Sequence, residues 1–581
     1  MHGNSFPSHD GEDIGIGSPY ANGAKDVADF FSGVIDKCVL GPWGMVSGIT
    51  GYSPYNSTLE SLNPYFIDFK LLTTPEGCEL LSRETFEDVV ENKPKTPKAD
   101  YEYVEKSTQR MLDEAYNTYL DKLVYYTDEV IDIHEKVLEY TLDNEGVFFD
   151  ALFYVLLDEY GTPEYKDWHE IDSKLPILLE NNDEQAHKRA LELYRMHRSK
   201  VDKYMFTQYL ASEHAKNAPM TYIADKQVAL GKADEWKLQD IILYEIKGKS
   251  ISLGVPADAF SDKGRCWKMP IIDVHKLFNE DGSLTQGAQR LYKIYQNIFA
   301  RNKGGVRIDH FQGIIDPYVC VNESAEPKHG AGRLYSSNSK LFNEYKIASK
   351  NKKLTDKDIE LYSLFFEKII LEAAKSQGLD ESNIMPEDLG SITEPTYRAI
   401  KKFGLGSMKV TGFVNPEIEN HPYRAINSKE NDFISIATHD NKPLIDYFYS
   451  MSEDKYKKHI DMLSYDLGVK PDYKSPRTHG IMLKFAELFV APAKNVQIFF
   501  SNLMGQNEWY NKPGDKSVPK WSLRMPNNFQ EVYLNNMVKG TAFDPYSALA
   551  LALAKKDKEG NKELIDRLYG YRKEIEKELN S

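Results

Sequence analysis

Cysteine is scarce: Cys38, Cys78, Cys266 and Cys320 are the only four in 581 residues. They are widely scattered and form no CxxC pair, so the spacing indicates neither a zinc site nor a disulfide framework. No uninterrupted apolar span reaches membrane length, which argues against a membrane partner. The opening "MHGNSFPSHDGEDIGIG" lacks a basic region followed by an apolar run, so no signal peptide is visible and a reducing cytoplasm is the expected location. Positive charge is in deficit. With 72 Lys and Arg against 88 Asp and Glu, the net charge of -16 argues against nucleic acid or an anionic membrane as the main partner. There is no phosphate-binding glycine loop, no calcium-loop spacing of oxygen ligands, no internal repeat and no Gly/Ser linker. The sequence therefore indicates neither a cofactor nor a metal, and it leaves the oligomeric state unread.

What remains is an ordinary globular composition, 41% hydrophobic and 28% charged, with ample material for a large core. Its 37 Tyr, 27 Phe and 6 Trp are mostly core by default, although such rings can also stack on sugars. Seven short apolar runs end in polar residues or glycine: "DKCVLGPWG", "YIADKQVALG", "GVRIDHF", "NIMPEDLG", "GSMKVTGF", "FISIATHDN" and "VQIFFSNLMG". Helical patterns such as "LYSLFFEKIILEAAKSQG" lie between many of them. Strands alternating with helices predict an α/β fold with a parallel sheet. Polar residues at the C-terminal ends of the runs sit where an eight-stranded α/β barrel carries its chemistry. Residues 98–216 are nearly strand-free and read as a helical insertion, while 555–580 read as a charged outer helix.

Three strand ends carry acids. "VRIDHF" ends on Asp309, with Arg307 two residues before it and therefore on the same face of an extended segment. "IMPEDLG" brings Glu387 and Asp388, and "IATHDN" brings Asp440 behind His439. Retaining glycoside chemistry requires an ionised carboxylate to attack the anomeric carbon and a second carboxyl, about 5–5.5 Å away, to move the proton. A third negative group can stabilise the oxocarbenium-like transition state. A guanidinium beside the attacker favours its anion, and an apolar setting such as that of Glu387 favours a proton donor. Each residue also has a plainer reading: Arg307 and Asp309 as a structural ion pair, Asp388 as the cap of the following helix, His439 as a core histidine.

The blocks "RIDHFQG", "PEDLG" and "ATHDN", in this order, resemble the signature of the 4-α-glucanotransferases, the amylomaltase or disproportionating enzymes of glycoside hydrolase family 77. "LGPWGMVSGITGYSPYNSTLESLNPYFIDF", "GVFFDALFYVL", "GVPADAFSDKGRCW" and "NKPGDKSVPKWSLRMP" are similar to further family segments, so the likeness covers nearly the whole chain. The resemblance implies one (β/α)8 barrel over residues 1–581 with no all-β C-terminal domain. It places the helical insertion at 98–216 and a loop-rich insertion at 232–300 that carries a substrate lid at 254–268. It implies Asp309 as nucleophile, Glu387 as acid/base and Asp440 as transition-state stabiliser. Arg307, His439, His310, Asn441, Tyr55, Asp225, Asp258 and Trp267 would contact the sugar. The implied partners are α-1,4-glucans and maltooligosaccharides. Two departures stand out: the third-strand block reads "ADKQVALGKADEW" where the family has "GDxPIFV", and Lys268 stands where the family has glycine. An α-glucan hydrolase of the same fold and a non-catalytic glucan binder are the alternative readings.

Overall fold

The computed structural model describes all residues except 47–51, 126–127, 228–229, 258–263, 322–330, 337–341, 343–344, 348–353, 390–391 and 514–519. The chain divides into two compact units. The larger comprises His2–Ile384 and Gly390–Ala399; the smaller comprises Met1, Met385–Leu389 and Ile400–Ser581. Each of the seven apolar runs holds or overlaps a strand: Cys38–Leu40, Tyr222–Lys226, Val306–Ile308, Ile384–Pro386, Met408–Val410, Phe433–Ser435 and Asn495–Gln497.

In the larger unit, Cys38–Leu40, Tyr222–Lys226 and Val306–Ile308 are adjacent and parallel, with Leu40 opposite Ala224 and Arg307 opposite Asp225. The helix Gln286–Arg301 precedes the last of these and buries Ala288, Leu291, Tyr295 and Ile298, the helical spacing of an amphipathic face. Gly305 makes the entry into the strand possible. Its φ is +120°, and a Cβ there would lie 2.1 Å from the Asn383 carbonyl oxygen. The described residues of 101–216 are built from helices, among them Tyr101–Val124, Asp128–Asp143, Glu145–Tyr160 and Arg198–Lys216. Asp100 caps the first of them by accepting the Tyr103 N–H at 3.1 Å.

The smaller unit has its own parallel sheet, with Phe433–Ser435 between Met408–Val410 and Asn495–Gln497. The apolar run "VQIFFSNLMG" is only partly strand, since Phe500–Met504 is a helix. A short apolar run does not by itself distinguish the two states. Asp388 is not the helix cap that its position suggests. It is buried, and its Oδ1 accepts the Met408 N–H at 2.7 Å, tying the segment after one strand to the start of the next. The helix Lys562–Leu579 closes the chain and buries none of its residues.

The cysteines require a correction. Cys266 and Cys320 form a disulfide, although they lie 54 residues apart and share no local spacing motif. Their strands, Arg265–Met269 and Tyr318–Val321, both pair with Lys249–Val255, and that shared partner brings them together. Gly254 lies against the bridge, where a Cβ would come 2.6 Å from Cys320 Sγ. Closing a loop of this length restricts the unfolded chain, a stabilisation of about 2–4 kcal/mol. Cys266→Ser is expected to lower the urea-unfolding midpoint of the oxidised protein. Adding a dithiol to the wild type should close that gap, and an unchanged midpoint would show that the bridge contributes nothing.

Candidate active site

The larger unit holds an ion cluster at its parallel strand ends. Because Arg307 and Asp225 are opposite each other in register, their side chains leave the same face. Arg307 Nη1 lies 2.6 Å from Asp225 Oδ1 and 2.9 Å from Asp309 Oδ1, so one guanidinium serves two carboxylates. The Tyr55 hydroxyl donates to the other oxygen of Asp225 at 2.7 Å. Burial, and then the Asp225 carboxylate, hold the Tyr55 phenol well above its usual range, so it stays a donor. The arrangement has a rank order. Asp225 and Arg307 are 6% and 7% exposed at their side chains, whereas Asp309 is 29% exposed and can meet a ligand.

The backbone after Asp309 turns sharply. The Asp309 N–H donates to the Lys226 carbonyl at 2.9 Å, extending the strand pairing by one residue. His310 then takes φ +47°, a left-handed conformation that costs a non-glycine residue on the order of 1 kcal/mol. The turn sets the His310 ring edge-on to Trp267, with centroids 4.8 Å apart. Lys268 also adopts a left-handed φ, +58°. That is the position where the family resemblance expects glycine, the residue that takes this conformation without strain. Asp258 lies outside the described residues.

Behind this cluster is a second, fully buried one that the sequence reading did not anticipate. Lys237 Nζ lies 2.7 Å from Glu60, 2.7 Å from Asp150 and 3.3 Å from Asp234. Burial pushes the Asp150 and Asp234 carboxyls up, while the three acids together hold Lys237 well above its usual range in spite of burial. Asp234 also accepts the Leu59 N–H at 3.1 Å, which fixes the strand Ser57–Leu62 just beyond Tyr55.

In the smaller unit, Glu387 follows Pro386 and its Oε1 accepts the Leu389 N–H at 2.9 Å. Asp440 and His439 lie on the turn after Phe433–Ser435. Asn441 closes that turn, its side-chain oxygen accepting the Thr438 N–H at 2.7 Å and the Thr438 hydroxyl at 2.9 Å. His439 Nε2 is 3.5 Å from Asp440 Oδ1. Two residues missed by the sequence reading complete this group. Asn511 donates its side-chain N–H to Asp440 Oδ1 at 2.5 Å and its backbone N–H to the His439 carbonyl at 3.2 Å. Trp521 packs its ring 5.4 Å from that of His439. Both lie in "NKPGDKSVPKWSLRMP", where the signal was the likeness of the segment and not any spacing. Among the described residues, no group of three His, Cys, Asp or Glu could hold a metal ion, and no helix is long and apolar enough to cross a membrane.

The family profile described as 4-alpha-glucanotransferase matches residues 1–530. The chain belongs to this family. The 4-alpha-glucanotransferase of Clostridium butyricum is 24% identical over 553 residues, 91% of this chain and 96% of that one. The chloroplastic/amyloplastic 4-alpha-glucanotransferase of Solanum tuberosum is 23% identical over 65% of this chain, a match that spans 58% of the potato protein. In structure, the chain shares the fold of the amylomaltase from Streptococcus agalactiae in complex with acarbose. The TM-score is 0.68 at 18% identity, covering 93% of this chain and 98% of the other. Within the 4-alpha-glucanotransferase family, this α/β chain is thus a distant member, matched over most of its length.

The double grip of Asn511 on Asp440 and His439 gives a direct test. If this turn serves the reaction, Asn511→Ala is expected to lower kcat on maltotriose by up to about 100-fold, with little change in thermal stability. An unchanged kcat would make the contact incidental.

Proposed function

We propose that this protein transfers α-1,4-linked glucan segments from a donor to the 4-hydroxyl of glucose or a maltooligosaccharide, with retention of configuration. Asp309 attacks the anomeric carbon of the donor and the glycosidic bond breaks. Glu387 gives its proton to the departing oxygen, leaving a glucosyl ester on Asp309. The sugar acceptor then loses its 4-hydroxyl proton to Glu387 and displaces Asp309, restoring both carboxyl groups. Asp440 stabilises the oxocarbenium-like transition state, with His439 beside it. Arg307, Tyr55, Asp225, His310, Trp267, Asp258 and Asn441 form the sugar-binding surroundings.

The observation that carries this reading is the two-carboxylate grip of Arg307, combined with family membership over residues 1–530. Asp309 has the more exposed carboxylate of the two, as an attacking group requires. Acarbose, the ligand of the Streptococcus agalactiae amylomaltase, favours α-glucans as the substrate class. The same reading makes the strands part of a (β/α)8 barrel, with 98–216 and 232–300 as insertions and 254–268, of which 258–263 lie outside the described residues, as a lid that shields the intermediate from water.

Incubation with maltotriose should yield free glucose and a ladder of longer oligomers. Shorter sugars alone would indicate a hydrolase, and no change would indicate a binder. Asp309→Asn should abolish the ladder while glucan binding persists. Glu387→Gln should still react with an activated donor whose leaving group needs no proton. Equal loss in both variants on that donor would overturn the assignment of roles.

A further inference from the structure

The strand that carries Asp225 ends on a second charged residue to which the mechanism above gives no role. Lys226 is 4% exposed. It is paired in register with Ile308, so its side chain leaves the face opposite to that of Asp225 and Arg307. There the ammonium lies 5.9 Å from the centre of the Tyr295 ring, on the helix Gln286–Arg301, and donates to the Gln227 carbonyl. The ammonium therefore ends at the strand terminus, level with the turn that bears Asp309. The Lys226 carbonyl accepts the Asp309 N–H at 2.9 Å, so the residue also meets Asp309 through the backbone. Gln227 extends the connection, its side-chain N–H groups reaching the Ser57 carbonyl at 2.9 Å and hydroxyl at 3.2 Å, next to the segment of Tyr55.

The charges around this point are unevenly matched. Asp225 and Asp309 share Arg307, while Glu60, Asp150 and Asp234 share Lys237. The Lys226 ammonium feels acids of both groups. The acids that act on it are Asp234 from the helix Lys232–Lys237, Asp309 after the neighbouring strand and Asp225 on its own strand. Tyr295 adds a ring face and no carboxylate. We propose that Lys226 is a positioning residue for the nucleophile, a buried counter-charge that offsets the surplus of carboxylates around Asp309 while its carbonyl fixes the Asp309 backbone. The inference rests on the reading of Asp309 as nucleophile. Burial draws the Lys226 ammonium down to about 8, so it carries its charge through neutral and acidic pH, where the nucleophile must be kept anionic. The "DKQ" form of this block, a departure from the family pattern, thereby gains a physical role.

The test is the pH profile of kcat/KM on α-glucosyl fluoride, a donor whose leaving group needs no proton, so that the acid limb reports the nucleophile. Lys226→Met removes the charge at similar volume. Lys226→Gln provides a second neutral side chain that keeps hydrogen-bonding capacity, and Lys226→Arg keeps the charge. In the two neutral variants the acid limb should move to higher pH by about half to one pH unit, with donor KM nearly unchanged. In Lys226→Arg it should stay within a few tenths of a unit of the wild type. A limb that stays in place in both neutral variants, with activity reduced evenly at every pH, would overturn the inference and make Lys226 a purely structural residue. Asp309→Asn tested on the same donor separates the two claims, because retained turnover there would remove the nucleophile assignment itself.

Discussion

One guanidinium organises the ion cluster of the larger unit. Arg307 is held between Asp225 at 2.6 Å and Asp309 at 2.9 Å, with Asp225 in turn fixed by the Tyr55 hydroxyl. Removing the guanidinium would leave the buried Asp225 carboxylate without its counter-charge, a loss of about 3–5 kcal/mol. The arrangement therefore fixes a geometry as well as a charge. It also depends on backbone register, since only the pairing of Arg307 with Asp225 puts both side chains on one face.

The surroundings are strained or charged in ways that a generic strand end would not need. His310 and Lys268 both adopt left-handed backbone angles, and they adjoin Asp309 and Trp267 respectively. Such conformations persist where neighbouring structure over-determines them. Here the strand pairing on one side and the Cys266–Cys320 bridge on the other supply that constraint. Behind them, Lys237 with Glu60, Asp150 and Asp234 fixes the strand that follows Tyr55, so a buried polar network supports the exposed carboxylate from below.

Much of this was legible from sequence because burial leaves a pattern. Strands covered on both faces, such as Val306–Ile308, Ile384–Pro386 and Phe433–Ser435, read as apolar runs, and each of the seven runs holds or overlaps a strand. Acids that interrupt such runs at their ends were conspicuous for the same reason, and Arg307 was placed beside Asp309 by simple alternation. The contacts that were not legible join residues far apart in the chain. The disulfide needs a third strand to align Cys266 with Cys320. The carboxylate of Asp388 turns back to the Met408 amide instead of capping a helix. Lys237 and its three acids come from three separate segments, only Asp234 being near Lys237 in the chain, and Asn511 reaches Asp440 across 71 positions. Local spacing carries no information about such pairings. Of these, the segment of Asn511 was flagged only by its likeness to a known family.

The central claim is that Asp309 is the group that becomes glucosylated. A fluorinated α-glucosyl fluoride, which slows breakdown of the intermediate more than its formation, should inactivate the enzyme and leave one sugar attached. Proteolysis and peptide mass mapping would then locate it. The account predicts the label on the peptide containing Asp309, and none in Asp309→Asn. A label on Asp225, Glu387 or Asp440, with Asp309 unmodified, would contradict it.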